Sequence, residues 1–141
     1  MSAEIVSVDG WAMPKGYTAG RIGGGRTLHV AGCVGWDAAC AFHSTDLVEQ
    51  FGRALSNVIA IVHAAHGRTS DIASMTIYVT DMVEYRARRR ELGAVWRERM
   101  LTHYPAMALV AVTALVEPEA VVEIQAIAHL AHDDDAEGMS T

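Results

Sequence analysis

The clearest pattern of apolar positions lies between Asp46 and His66, where such residues recur at intervals of three and four. They are Leu47, Phe51, Leu55, Val58, Ile59 and Val62. This spacing predicts an amphipathic helix with one buried stripe. Thr45 or Asp46 is suited to cap its N-terminus, and Gly67 follows it as a left-handed C-terminal cap should.

The rest of the chain shows strand patterns and one further helix. Ser74–Thr80 alternates, with Met75, Ile77 and Val79 on one face, which predicts a strand covered on one side. A second helix is predicted from about Val83 to Leu101. Its apolar side carries Leu92, Val95, Trp96 and Met100.

Five other segments are predicted to be strands: Glu4–Val8, Tyr17–Ile22, Thr27–Ala31, Met107–Leu115 and Ala120–Leu130. The glycines at 23–25 favour a hairpin turn, and residues 116–119 favour a second turn. This order predicts an α+β fold with a mixed or antiparallel sheet and two helices packed on one face. The uncovered face would carry Val121 or Val122 and the alanine-rich last strand, which predicts self-association.

The length and charge of the chain indicate its domain organisation. The 141 residues suit a single domain, predicted to span residues 1–131, followed by an acidic disordered tail at residues 132–141. The formal charge of −6 falls to −2 without the four acidic residues of that tail, since 13 acidic and 11 basic residues remain. A chain body with this nearly neutral charge is not expected to present a positively charged surface that binds nucleic acid. No apolar run reaches the roughly 18 residues of a membrane span, so we expect a cytoplasmic protein with no membrane partner.

Five short motifs then resemble, in order, those of the Rid family, the YjgF-type enamine and imine deaminases. PKGYT (residues 14–18) is similar to the family's PxGPYSQ, and VAGCVGWD (30–37) to V(S/A)GQxGxD. IYVTDM (77–82) looks like VFVxDL, YPA (104–106) matches (Y/F)PA, and VEIQAIA (122–128) is similar to VEIEAIA. The resemblance covers residues 14 to 130.

The resemblance implies a chorismate-mutase-like fold and a homotrimer. It also implies active clefts between subunits that bind a small molecule, with no metal or organic cofactor. In the family's deaminases the arginine of (Y/F)PAR grips the substrate carboxylate, and here that position is Met107. The methionine thioether cannot replace it, because it lacks the positive charge and the paired N–H donors with which a guanidinium binds a carboxylate. Cys33 replaces the glutamine of the SGQ stretch, whereas Glu123 and Tyr17 are retained.

Glu123 is the candidate catalytic residue, because imine hydrolysis needs a group that positions water and moves protons. A solvent-facing or interface carboxylate is the alternative. The candidate substrate-binding residues are Tyr17, Gly32, Cys33, Trp36, His103 and Met107. Gly32 would let a ligand or backbone come close, and Cys33 is expected to line the pocket rather than act as a nucleophile.

Two other groups of residues have ordinary explanations beside functional ones. The arginines at positions 86, 88, 89, 90, 97 and 99 could include a replacement anion anchor, although a solvated helix face is the default. His63 and His66 could approach one ion, but two histidines alone are weak evidence for a metal site. We expect no metal.

The leading hypothesis is a cofactor-independent deaminase or hydrolase of a small enamine or imine, such as a 2-aminomuconate-like compound. The alternative is a non-catalytic trimer that binds a small metabolite or a partner protein. A ribonuclease or translation inhibitor is the third hypothesis. A nearly neutral body without a clustered basic and aromatic groove argues against it.

Overall fold

The computed structural model describes residues 4–132. The predicted tail therefore lies outside the described residues except for His132. The strands are β1 (Glu4–Val6), β2 (Gly20–Ile22), β3 (Arg26–Val34), β4 (Ile72–Val79), β5 (Ala106–Ala111) and β6 (Val122–Leu130). The helices are α1 (Leu47–Ala64), α2 (Met82–Ala87) and α3 (Arg89–Met100), with a 3-10 turn at Thr69–Asp71.

Four strands form a mixed sheet in the order β3-β6-β4-β5. The β4–β5 pair is parallel, and the other two pairs are antiparallel. Helices α1 and α3 pack on one face of this sheet and share a single core with its inward side chains. The predicted α+β class, with helices on one face of a mixed sheet, is confirmed.

Helix α1 forms where the apolar spacing predicts it. Asp46 caps it, because its carboxylate accepts a hydrogen bond from the backbone N–H of Glu49 at 3.1 Å. The prediction that Gly67 adopts the left-handed conformation is wrong, since His66 adopts it with φ 64°. Gly67 is needed for space instead: a Cβ there would lie 2.5 Å from Cδ2 of Leu130.

The predicted second helix is two helices, α2 and α3, divided at Arg88. Arg88 has φ −107° and ψ 17°, outside the helical range. Its guanidinium binds Glu91 at 2.8 Å on one side and Asp46, the cap of α1, at 2.9 Å on the other. The ion pairs therefore fix the break and join it to α1.

The predicted hairpin across glycines 23–25 is wrong. Strand β2 pairs with β1 in a separate two-stranded sheet, and β3 pairs with β6. The glycines form a connection between the two sheets. A Cβ on Gly23 would overlap the ring of His129, and one on Gly25 would overlap the carbonyl oxygen of Leu130. Close approach to β6 accounts for these two glycines.

The face of the sheet away from the helices is more polar than predicted. Val122 is fully buried on the helix side, as are Ala126 and Ala128, because alternate residues of a strand point to opposite faces. The outer positions of β6 are Glu123, Gln125, Ile127 and His129. The predicted apolar outer face is thus wrong for Val122 and the alanines, and Val121 is half-buried and packs against the core. Self-association itself stays a prediction.

Within residues 4–132, no helix is long and apolar enough to cross a membrane. The same residues contain no group of three or more His, Cys, Asp or Glu side chains that could hold a metal ion.

Candidate functional site

A β-bulge in β3 lies directly beneath the candidate catalytic carboxylate. Val30 pairs with Ala126 and Cys33 with Ile124, so β3 has one more residue than β6 in this interval. Gly32 lies in the bulge. A Cβ on Gly32 would lie 2.8 Å from both Cδ and Oε2 of Glu123. The close approach predicted for Gly32 is thus made by the Glu123 carboxylate.

The Glu123 side chain is half-buried on the outer face of the sheet. Its neighbour across the ladder is Tyr78 of β4, whose hydroxyl donates a hydrogen bond to Oε1 of Gln125 at 3.2 Å. In the described part of the chain, no hydrogen bond or ion pair occupies the Glu123 carboxylate. It is therefore available to a water molecule or a ligand.

Cys33 lies on the other face of β3, where it is buried in the core. Its thiol donates a weak hydrogen bond to the carbonyl of Ala31 at 3.4 Å. Burial raises the pKa of this thiol, and the nearby charge of Glu123 raises it further. A thiol held protonated is a poor nucleophile, so Cys33 is suited to packing rather than to catalysis.

Tyr17 and Met107 lie together in a different place, a cavity of about 490 Å³ on the helix side of the β5 edge. The segment before β2 reaches this edge because Thr18 donates a backbone hydrogen bond to Pro105 at 3.1 Å. The other lining residues are Lys15, Gly16, Phe51, Ile77, Tyr85, Arg89, Leu92, Gly93, Trp96, Arg97, Tyr104 and Leu109. We call this space the β5 cavity. Its volume suits a small molecule.

The β5 cavity has an aromatic wall and a cationic one. Trp96 and Tyr104 stack with ring centroids 5.7 Å apart and planes inclined by 10°. Lys15, Arg89 and Arg97 supply positive charge, and no aspartate or glutamate of the described residues lines the cavity. The cavity therefore favours an anion with a flat or apolar body.

Within one chain, the predicted site residues form two groups on opposite faces of the sheet. Gly32 and Glu123 meet on the outer face, with Cys33 adjoining them. Tyr17 and Met107 meet in the β5 cavity on the inner face, where Met107 is paired with the buried Met75.

His103 lies outside both groups and has a structural position. Its Nε2–H donates to the carbonyl of Ile72 at 2.7 Å, and its own carbonyl accepts from the indole N–H of Trp96. Burial lowers the pKa of His103, and the nearby Arg21 lowers it further, against the opposing effect of the Ile72 hydrogen bond. The imidazole joins the end of α3 to the start of β4.

Trp36 also lies apart from the β5 cavity. Its ring packs against Phe42 at 5.8 Å, and its carbonyl accepts from Nδ2 of Asn57 at 2.9 Å. The adjoining Asp37 accepts a hydrogen bond from His43 at 2.7 Å, which lowers the pKa of that carboxyl to about 2. Trp36 therefore belongs to an ordered loop that precedes α1.

Sequence reasoning missed the cationic wall and Tyr78. The run of arginines carries no local signal that separates Arg89 and Arg97 from the others, and Lys15 belongs to a motif without a predicted contact of its own. The expectation that the chain has no clustered basic and aromatic surface is wrong, since the β5 cavity combines three cations with Tyr17, Tyr85, Trp96 and Tyr104. Gly93, a glycine inside a predicted helix, was an available signal of a close approach.

A mixed sheet with helices on one face, a carboxylate on the other and a separate cationic cavity define a small α+β protein with a potential ligand cavity. Residues 12–130 match the profile of the family described as Endoribonuclease L-PSP. The chain belongs to this family, which is also called the Rid or YjgF family. The resemblance drawn from the five motifs is confirmed.

Similar proteins of known sequence or structure agree with this membership. The RutC family protein PH0854 of Pyrococcus horikoshii is 27% identical over 127 residues, which cover 89% of this chain and 97% of that protein. The Rid protein YyfB of Yersinia pestis, described as of unknown function, has a TM-score of 0.80 at 25% identity, covering 92% of this chain and 100% of its own. Rv2704 of Mycobacterium tuberculosis, from the YjgF/YER057c/UK114 family, has a TM-score of 0.61 at 30% identity, covering 82% and 87%.

Proposed function

We propose that this protein is a cofactor-independent deaminase that hydrolyses a small enamine or imine, from a divergent Rid subgroup without the usual carboxylate-binding arginine. The observation that carries the proposal is the Glu123 carboxylate, which lies over the Gly32 bulge with no internal partner in the described structure. A carboxylate in this position is suited to hold water against a substrate.

The reaction needs little more than proton transfer and positioning. An enamine first takes a proton at its β-carbon and loses one from its nitrogen to become an imine. Glu123 accepts a proton from water while the water oxygen bonds to the imine carbon, and the proton passes to nitrogen. In the resulting carbinolamine the hydroxyl proton passes to the nitrogen as the C–N bond breaks, so that ammonia leaves and a carbonyl compound remains.

The two groups of site residues lead us to propose that the cleft forms between copies, in a chorismate-mutase-like homotrimer. Glu123 and Met107 lie on opposite faces of the sheet in one chain. A second copy packed on the outer face would bring its own β5 cavity towards Glu123. The outer positions Thr76, Tyr78, Gln125 and Ile127 offer a mixed surface for this contact.

The test is ammonia release from freshly generated imines. The panel would include a simple 2-imino acid, an imine without a carboxylate and a 2-aminomuconate-like enamine. We expect turnover on at least one of the last two, with a loss of about 100-fold or more in Glu123→Gln. Glu117→Gln, a carboxylate in the turn before β6, is the matched control and should keep full activity.

The outcomes separate the leading function from a non-catalytic binding module. Turnover that survives in Glu123→Gln would refute the assigned role. No turnover on any member of the panel, with the native fold intact, would replace the deaminase by a small-metabolite or protein-binding trimer.

A ribonuclease or RNA-binding role is the second candidate, because the β5 cavity combines cations with aromatic rings. Bases stack on such rings and phosphates bind such cations. Its volume of about 490 Å³ limits it to roughly one nucleotide. RNA cleavage that falls steeply with added salt and is lost in Arg89→Gln would support this function.

A further inference from the structure

The arginines of α2 and α3 fall into two kinds. Arg88 is occupied, since it binds Glu91 and Asp46 at 2.8 and 2.9 Å. Arg89 and Arg97 have no carboxylate partner within ion-pair distance among residues 4–132. Both line the β5 cavity. These two arginines are therefore unneutralised charges beside a space that can hold a ligand.

Residues 89, 93 and 97 lie four apart, so they form one stripe along α3 that covers about 12 Å from end to end. The middle position is Gly93, which also lines the cavity. Glycine inside a helix is less favourable than alanine by about 1 kcal/mol. Its missing side chain leaves room over the helix, and Nη1 of Arg97 reaches into this space to 3.3 Å from where a Cβ would lie.

The wall around this stripe is apolar and aromatic. Tyr17, Met107 and Leu109 lie in the cavity with the stacked rings of Trp96 and Tyr104. A ligand with an ammonium group would be repelled by the positive charges of Lys15, Arg89 and Arg97. A planar conjugated or aromatic body would bury its faces there and leave its anionic group for the arginines.

We propose that Arg89 and Arg97 form the anion anchor of this protein, in place of an arginine at position 107, and that the ligand is an aromatic or conjugated unsaturated carboxylate. Gly93 is a specificity-determining position, because a side chain there would press on the guanidinium of Arg97. As the substrate class of the deaminase, the inference rests on the proposed function: the carboxylate would be bound on α3, remote from the imine carbon that the water held by Glu123 attacks.

The anchor can be tested by binding, without turnover. The probe is trans-cinnamate, with neutral trans-cinnamamide as its isostere, measured by calorimetry on the full chain. We expect cinnamate to bind at least about tenfold more tightly than the amide, with this preference reduced in each of Arg89→Gln and Arg97→Gln and abolished in the double variant. Arg90→Gln is the matched control, because Arg90 is exposed on the same helix and does not line the cavity.

Gly93→Ala gives an independent test. A Cβ there would meet only the terminal Nη1 of Arg97, at 3.3 Å. The variant should therefore raise the urea midpoint of unfolding while weakening cinnamate binding. A midpoint that rises with binding unchanged would remove Gly93 from the site.

Failures of the two proposals are distinguishable. Equal affinity for cinnamate and cinnamamide would overturn the anchor, whatever the imine assay shows. Tighter binding of adenosine monophosphate than of cinnamate would overturn the carboxylate assignment. Cinnamate binding that is intact in Glu123→Gln, together with no ammonia release by the native protein, would leave the anchor standing and refute the deaminase.

Discussion

Gly32→Ala perturbs the candidate site through one methyl group. The new Cβ would lie 2.8 Å from Cδ and Oε2 of Glu123 and 3.1 Å from its Cγ, so the carboxylate must leave its position. Because the flexible end of a side chain moves, the cost is about 0.5–1.5 kcal/mol for an unfavourable rotamer. The loss of glycine entropy from the unfolded chain returns about 0.4–1 kcal/mol. The net change in unfolding free energy should stay within about 1 kcal/mol.

The expected change in activity is much larger than this change in stability. Ammonia release should fall about 100-fold or more, because a displaced carboxylate no longer holds the attacking water. Glu123→Gln on its own should have a similar effect. The double variant should lose little beyond either single one, because both changes remove the same group.

Gly35→Ala is the matched control for the loss of a glycine. Its Cβ would lie 2.6 Å from the carbonyl oxygen and 2.7 Å from the Cα of Gln50, which are backbone atoms of α1 and cannot move away. It should cost about 1–3 kcal/mol or more of stability.

Full activity in Gly32→Ala, or losses that multiply in the double variant, would refute the reasoning about Glu123.

Three further predictions concern the fold. Gln50 is 1% exposed and makes three hydrogen bonds of 2.8–2.9 Å to backbone groups. Gln50→Leu should therefore lower the unfolding free energy by about 3 kcal/mol in urea titrations. A loss of less than about 1 kcal/mol would contradict this prediction. Because the pKa of His103 is lowered in the fold, the unfolding free energy should decline as pH falls below about 6.5. The decline should be less steep in His103→Asn. Equal dependence of the unfolding free energy on pH in the two proteins would contradict this prediction. In thiol labelling followed by mass spectrometry, exposed Cys40 should react quickly and buried Cys33 only on unfolding; rapid double labelling would contradict it.

Local patterns predicted the elements whose stability depends on local contacts. The three-and-four spacing in α1 and its Asp46 cap involve residues within one helix, and both are observed. The alternation of Met75, Ile77 and Val79 likewise depends on one strand. The break at Arg88 could not be predicted, because its partner Asp46 is 42 residues away. The pairing of β2 with β1 is similarly a choice between distant partners.

The site residues divide in the same way, into those indicated by local patterns and those that depend on contacts between distant segments. Strand alternation places Glu123 on the same face as Gln125, and a glycine at position 32 indicates a close approach without showing which residue makes it. The β5 cavity could not be predicted because it depends on how α3 lies across β5. A single helix from Val83 to Leu101 gave no reason to separate Arg89 and Arg97 from Arg88. The glycine at 93, costly in a helix, was the one local sign of that cavity.

The proposed arrangement combines Glu123 of one copy with the β5 cavity of another in each site. It is tested most directly by mixing two inactive variants, Glu123→Gln and Gly93→Trp, whose indole would fill the cavity. After joint unfolding and refolding, random assembly into rings should restore about a quarter of the clefts, and ammonia release should recover to about that fraction of the native rate. Mixed oligomers, verified by native mass spectrometry, that show no recovery would contradict a site shared between copies.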